Sequence, residues 1–235
     1  RNAILAFFRG GGGEHFVSAM ETIRENYPPS AFYSAMNSLG THDTPRILTL
    51  LGAEEGCEHQ SKEWRSSYRL GPDQRRRAKE LLKLGAALMF AFPGSPTVYY
   101  GDEAGMEGFE DPFNRRTFPW GREDSELMGW FSRLGHLRKQ SPALRQGEIH
   151  YRVGKGPVLA FTRTQGEETI LAVFNTGSEE ATLRLREELA KNVTDAALVV
   201  VAQRIATIMH ADQIIVLDDG HVVGTGTHEE LLRSC

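Results

Sequence analysis

The chain has 235 residues, 40% apolar and 25% charged, with a formal net charge of −4. That balance is ordinary for one large or two small globular domains, and the acidic total gives no electrostatic case for nucleic acid. The longest apolar runs, "GAALMFAF" and "AALVVVA", fall well short of the ~20 residues a membrane span needs. The two cysteines, Cys57 and Cys235, suit a reducing compartment such as the cytoplasm better than a disulfide scaffold.

The first residue is Arg1 and no signal peptide is visible, so the N-terminus reads as a cut. "RNAILAFFRG" is apolar and helical, and the glycines at 11–13 interrupt it. "EHFVSAMETIREN" resumes with Phe16, Met20 and Ile23 at helical spacing, and "YPPS" ends it. "AFYSAMNSLG" reads as a buried strand over 31–40. "PRILTLLG" restarts a helix with Thr44 as cap and Pro45 at its first position. Residues 53–72 read as a polar loop, followed by a helix over 73–91. Its basic cluster, Arg75–Arg77, reads as a solvated helix face in an acidic protein. "FPGSP" is a turn, "TVYY" a β-branched and aromatic strand, and 101–121 a long glycine-rich loop. Such loops in compact domains usually carry function. "SELMGWFSRLGHLRKQ" is a further helix.

The pattern then changes. "GEIHYRVG", "PVLAFTRT", "ETILAVFN" and "ATLRLR" alternate with period two around the turns "GKG", "QGE" and "NTGSEE", which predicts an antiparallel sheet. From about residue 186 it changes again. "REELAKN" is helical, "ALVVVAQ" a buried strand, "RIATIMHA" a helix and "QIIVLDDG" another buried strand. Thr227 and Glu230 in "THEELL" form a capping box that opens a last helix.

Alternating strands, loops and helices with polar residues at strand C-ends predict a parallel α/β barrel or a doubly wound sheet. His42–Asp43 and Asp102–Glu103 both occupy that position. Two carboxylate-bearing strand ends can flank a glycosidic bond, bind a metal, or merely cap the next helix.

Two motifs narrow the choice. "MNSLGTHDTPRILTLLG" and "FPGSPTVYYGDEAGMEGFEDPFNRRTFPWG" together resemble the C-terminal part of the catalytic (β/α)8 barrel of α-amylase-family glycoside hydrolases, in particular the neopullulanase, cyclomaltodextrinase and maltogenic amylase branch. The resemblance covers roughly residues 1–180. It implies a retaining hydrolase of α-glucans, with a maltooligosaccharide or cyclodextrin as partner and no cofactor. Asp43 matches the family's third carboxylate, which distorts and stabilises the sugar ring as it becomes oxocarbenium-like. His42 matches a sugar-binding imidazole, and Asp111 and Arg115 match a pair that holds the next glucose. Phe109, Phe113 and Trp120 are candidates for stacking on sugar faces or for core packing. Asp102 and Glu103 take a loop-holding role. The nucleophilic Asp and the acid/base Glu of the family have no counterpart before Asp43, since Glu14, Glu21 and Glu25 lie in an amphipathic helix. The segment from 139 to about 185 fits the start of the family's C-terminal β-sandwich.

"VVVAQRIATIMHADQIIVLDDGHVVGTGTHEELL" resembles instead the C-terminal end of an exporter-type ABC-transporter ATPase domain, over about 186–235. Gln203 stands where that family usually carries a switch histidine, and glutamine cannot hold a proton charge near neutral pH. The sequence carries no phosphate-cradling G-x-x-x-x-G-K-[ST] loop, so nucleotide binding is not expected. His210, His221 and His228 read as surface histidines without metal partners. Together these features predict α/β architecture in three pieces: a partial barrel over 1–138, a partial sandwich over 139–185 and an ATPase tail over 186–235. A chimeric or truncated product joined near 185 is implied, inactive alone and prone to self-association through open sheet edges.

Overall fold

A computed structural model describes residues 1–177, 214–218, 221–227 and 229–230. In the first part α1 (Asn2–Ala6) runs through an irregular turn over 7–11 into α2 (Gly12–Asn26). The glycine run does more than interrupt a helix. A Cβ on Gly13 would lie 2.3 Å from the Val158 carbonyl oxygen. Its amide donates to the Gly156 oxygen at 2.7 Å, and the Glu14 carboxylate accepts from the Gly156 amide. The helix N-terminus therefore sits directly on a hairpin turn, which only glycine allows.

The buried strand expected over 31–40 is instead a helix and a short strand, α3 (Pro29–Ser34) and β1 (Met36–Ser38). Pro29 is the reason: proline suits the first helical position, so "PPS" starts a helix as well as ending one. β2 (Ser95–Thr97) lies earlier than "TVYY" and pairs parallel with β1, Met36 facing Ser95 and Ser38 facing Thr97. Parallel pairing across an intervening helix is the expected barrel connection. α4 (Ile47–Gly52) begins after Pro45 rather than at it, and Thr44 folds back into a turn with Thr41. The segment 53–72 is not a bare loop, since it contains a turn at Cys57–His59 and α5 (Lys62–Ser67).

α6 (Pro72–Ala91) is the central helix. It buries Ala78, Leu82, Gly85, Ala86, Leu88 and Met89, a stripe that packs on α4, α7 (Ser125–Gln140) and the sheet. Its basic start is not one solvated face. Arg75 bonds Glu107 and lies 3.4 Å from Asp124, whereas Arg76 is exposed beside Asp73. At its C-terminal end two buried arginines replace the missing helical donors. Arg138 of α7 donates to the carbonyls of Phe90, Phe92 and Gly94, and Arg163 donates to the Ala91 carbonyl at 2.7 Å. Cations at this end also oppose the negative pole of the helix. Burial lowers the affinity of both for protons, Arg163 to about 10.

After α8 (Pro142–Gln146) come β3 (Glu148–Lys155), β4 (Val158–Gln165) and β5 (Glu168–Asn175), an antiparallel meander in the order β3-β4-β5. Gly156 and Gly166, both at positive φ, make its turns, as the "GKG" and "QGE" signals predicted. β4 is buried from Val158 through Arg163. Phe92 joins sheet and helices, with edge-on contacts to Phe16 at 5.7 Å, Phe32 at 6.2 Å and Phe161 at 5.9 Å. Leu159, Phe161 and Phe174 thus belong to the same core as Leu48, Leu82 and Phe16. Near the end, β6 (Ile214–Asp218) and β7 (His221–Gly226) form an antiparallel hairpin, and the capping box is present, Thr227 and Glu230 exchanging bonds of 2.8 and 3.3 Å. The expected elements over 181–213, Gln203, His210, His228 and the junction near 185 lie outside the described residues. No helix among the described residues is long and apolar enough to cross a membrane.

Candidate active site

The four residues expected at a sugar site converge on one rim, where the loop after β1 meets the loop after β2. The first loop closes on itself: the Thr41 amide donates to Thr44 Oγ1 at 3.1 Å and the Asp43 amide to Thr41 Oγ1 at 3.3 Å. This turn holds Asp43 outward, with 71% of its side chain exposed. His42 Nε2 lies 3.2 Å from Asp43 Oδ2, and Arg115 Nη2 lies 3.8 Å from Oδ1. Arg115 Nε in turn reaches Asp111 Oδ1 at 3.0 Å. A carboxylate so flanked by an imidazole and a guanidinium presents free lone pairs to solvent. It can accept hydroxyl hydrogen bonds, and its charge favours a neighbouring cationic centre. Among the described residues no three His, Cys, Asp or Glu side chains are grouped to hold a metal ion.

Beneath this rim lies a polar layer. Asn114 is fully buried in a single turn of 3₁₀ helix at Phe113–Arg115. Its Nδ2 donates to the carbonyls of His42 at 2.7 Å and Thr44 at 2.9 Å. Arg46 is also buried: Nη1 donates to Asp102 Oδ1 at 3.2 Å and to the Tyr100 carbonyl, and the guanidinium lies 4.4 Å and 4.5 Å from the Tyr99 and Tyr100 ring centres. The Arg46 amide donates to the Gly108 carbonyl at 2.9 Å. Burial pushes the Asp102 carboxyl up to about 7, against the pull of Arg46. Sequence reasoning did not identify Asn114 or Arg46. The only available signal was an asparagine between Asp111 and Arg115, inside a motif already read for its charges.

The aromatic candidates separate. Phe109 is 4% exposed and packs 5.5 Å from Tyr68 and 6.1 Å from Trp64, so it is core rather than a stacking surface. Trp120 is 80% exposed, its ring 4.6 Å from Phe118, and Phe113 is half-buried.

Residues 14–125 match the sequence profile of the α-amylase catalytic domain. Over that segment the chain resembles α-amylase-family glycoside hydrolases. An amylopullulanase of Thermoanaerobacter thermohydrosulfuricus is 43% identical over 142 residues, 60% of this chain and 9% of that protein. A cyclomaltodextrinase of Geobacillus thermopakistaniensis is 32% identical over 186 residues, 77% of this chain and 28% of that protein. Among solved structures, the cyclic α-maltosyl-(1→6)-maltose hydrolase of Arthrobacter globiformis superposes with a TM-score of 0.59 at 26% identity. It covers 74% of this chain and 35% of its own. This chain therefore spans less than a third of the length of these curated relatives, and its fold is similar to part of an α-amylase-family barrel enzyme.

Proposed function

We propose that residues 1–175 supply the substrate-positioning rim of a retaining glycoside hydrolase acting on α-glucans, with maltooligosaccharide or cyclodextrin-type chains as ligand. Asp43 stabilises the ring as it turns cationic, His42 donates to a hydroxyl, and Asp111 with Arg115 holds the neighbouring glucose. The observation that carries this reading is the convergence of His42, Asp43, Asp111 and Arg115 at 3.0–3.8 Å from two separate loops. Trp120, exposed on the same loop, is the stacking candidate.

The acids of α2 do not supply the bond-breaking pair: Glu14 is held by the Gly156 amide and Glu21 by Arg24. The 235 residues are accordingly expected to bind maltotriose but not to turn it over. Calorimetry should show binding that Asp111→Ala and Arg115→Ala each weaken at least several-fold. Steady turnover of maltotriose, lost in Asp43→Asn, would mean that a complete catalytic set is present and the reading is wrong.

The same proposal divides the chain into a barrel piece to 138, a sandwich piece over 139–185 and an ATPase-derived tail over 186–235. Support for the tail is its resemblance together with the strand Ile214–Asp218 and the Thr227–Glu230 cap. Amplifying and sequencing the DNA across codons 175–195 from source tests the junction, and an uninterrupted hydrolase frame there would reject it.

A further inference from the structure

We infer that Asn114 is a positioning residue: its side-chain amide sets the Asp43 carboxylate by clamping the carbonyls on either side of it. This inference rests on the reading of Asp43 as the sugar-facing carboxylate. The argument is geometric. Within its own turn the 41–44 loop is closed by threonine hydroxyls, which fix its shape but not its place. Its attachment to the loop after β2 comes from the Arg46 amide to Gly108, Arg46 Nη1 to the Tyr100 carbonyl and Asp102, Arg115 Nε to the His42 carbonyl at 3.3 Å, and Asn114 Nδ2. Among the described residues only Asn114 bonds both residues that flank Asp43, His42 at 2.7 Å and Thr44 at 2.9 Å.

Both amide protons of Asn114 are used, and the side chain has no exposure to water. The opposite amide orientation would set its oxygen against two carbonyl oxygens, so the chemistry permits one arrangement. Asn114 stands in one short turn with Arg115, three residues after Asp111. The groups proposed to grip one glucose are therefore joined through a single rigid turn to the loop that aims at the next. A ligand that orders Asp111 and Arg115 also orders Asp43, with Asn114 as the link.

The test uses the full chain with Asn114→Ala, Asn114→Asp and Asn114→Ser. Ionised aspartate at this site can only accept, and serine keeps one donor. Without ligand, amide hydrogen exchange over 41–46 should quicken about tenfold in the alanine and aspartate variants, the equivalent of one net hydrogen bond of about 1.4 kcal/mol. Exchange in α6 should stay unchanged, and serine should restore part of the protection. If the aspartate variant loses α6 protection as well, the serine variant decides. Unchanged exchange over 41–46 overturns the inference, whatever the chain binds.

Calorimetry with maltotriose then separates positioning from general support. Asn114→Ala should weaken binding about tenfold with Asp43 present and less than twofold in an Asp43→Ala background. Equal losses in both backgrounds would make Asn114 a merely structural residue. A native chain that binds no maltotriose rejects the Asp43 reading itself, while the exchange result still stands or falls separately.

Discussion

The Asp102–Arg46 pair offers a measurement whose sign runs against ordinary intuition about buried ion pairs. Asp102 is 3% exposed, and burial outweighs the attraction of Arg46, so that its carboxyl titrates at about 7 when folded against its ordinary 3.8. Glu103 adds to the rise, and Arg1 opposes it weakly. A carboxyl with a raised folded pKa contributes its stability below the unfolded value and loses it as pH climbs through the folded one. Between about pH 4 and pH 7 the fold should therefore lose about 1.4 kcal/mol per pH unit from this group. The total is about 4 kcal/mol, flat above about pH 7.

Asp102→Asn retains an oxygen for Arg46 Nη1 and cannot ionise. Near pH 4 it should match the native chain, and at pH 8 it should be the more stable of the two, by up to about 4 kcal/mol. Urea unfolding of both proteins at pH 4, 6 and 8 gives the difference directly from midpoint and slope. An asparagine variant less stable than the native chain at pH 8 would refute the reasoning. It would show that the guanidinium holds the carboxylate more firmly than burial expels it, the usual outcome when a buried charge loses its partner.

Five further outcomes are expected. Arg163→Met, with its side chain 0% exposed and its Nε and Nη1 donating to Gly147 and Ala91, should cost about 1–3 kcal/mol in denaturant unfolding through carbonyls left unpaired. Phe109→Ala should destabilise by about 3–5 kcal/mol as a core truncation. Trp120→Ala should leave the melting temperature in place and weaken maltotriose binding several-fold, so the two variants separate packing from stacking. In Gly108→Ala the new Cβ would stand 2.1 Å from the Phe113 carbonyl, so unfolding should be easier by about 1–3 kcal/mol. Thr49→Val, which removes only the hydroxyl accepting from the Gly108 amide at 2.8 Å, should cost about 1 kcal/mol.

The sequence revealed those parts of the fold whose causes are local. α6 and α7, expected over 73–91 and 125–140, run Pro72–Ala91 and Ser125–Gln140, because long helices carry their period and their caps, Pro72 and Asp124, in the local sequence. The β3–β5 meander follows from period-two alternation and glycines at positive φ. β1 and β2 were misplaced because three-residue strands carry almost no periodicity, and their bounds are set by pairing with each other. At the site, resemblance picked out charges that face solvent. It missed Asn114, because a side chain that bonds backbone carbonyls is indifferent to the identity of the residues it holds. Phe109 shows the converse: an aromatic on a functional loop looks the same in sequence whether it meets a sugar or the Tyr68 ring.

The shortness of β1 and β2 has a further consequence for how the rim works. Three paired residues per strand cannot alone fix two long loops against each other. Fixing them falls to polar contacts below the rim: Arg46 to Asp102, Asn114 to residues 42 and 44, and Gly108 between Thr49 and Arg46. Such contacts are strong only while dry, and Arg46, Asp102 and Asn114 are all buried. The apolar core below, with Leu39, Leu48 and Met89, keeps water out of that layer. Asp43 can then remain solvated and free to meet a hydroxyl without its loop drifting, since the order is stored one layer down. A glucan covering the rim would exclude water from Asp43 and Arg115 as well, and would strengthen their pull on the sugar at the moment of binding.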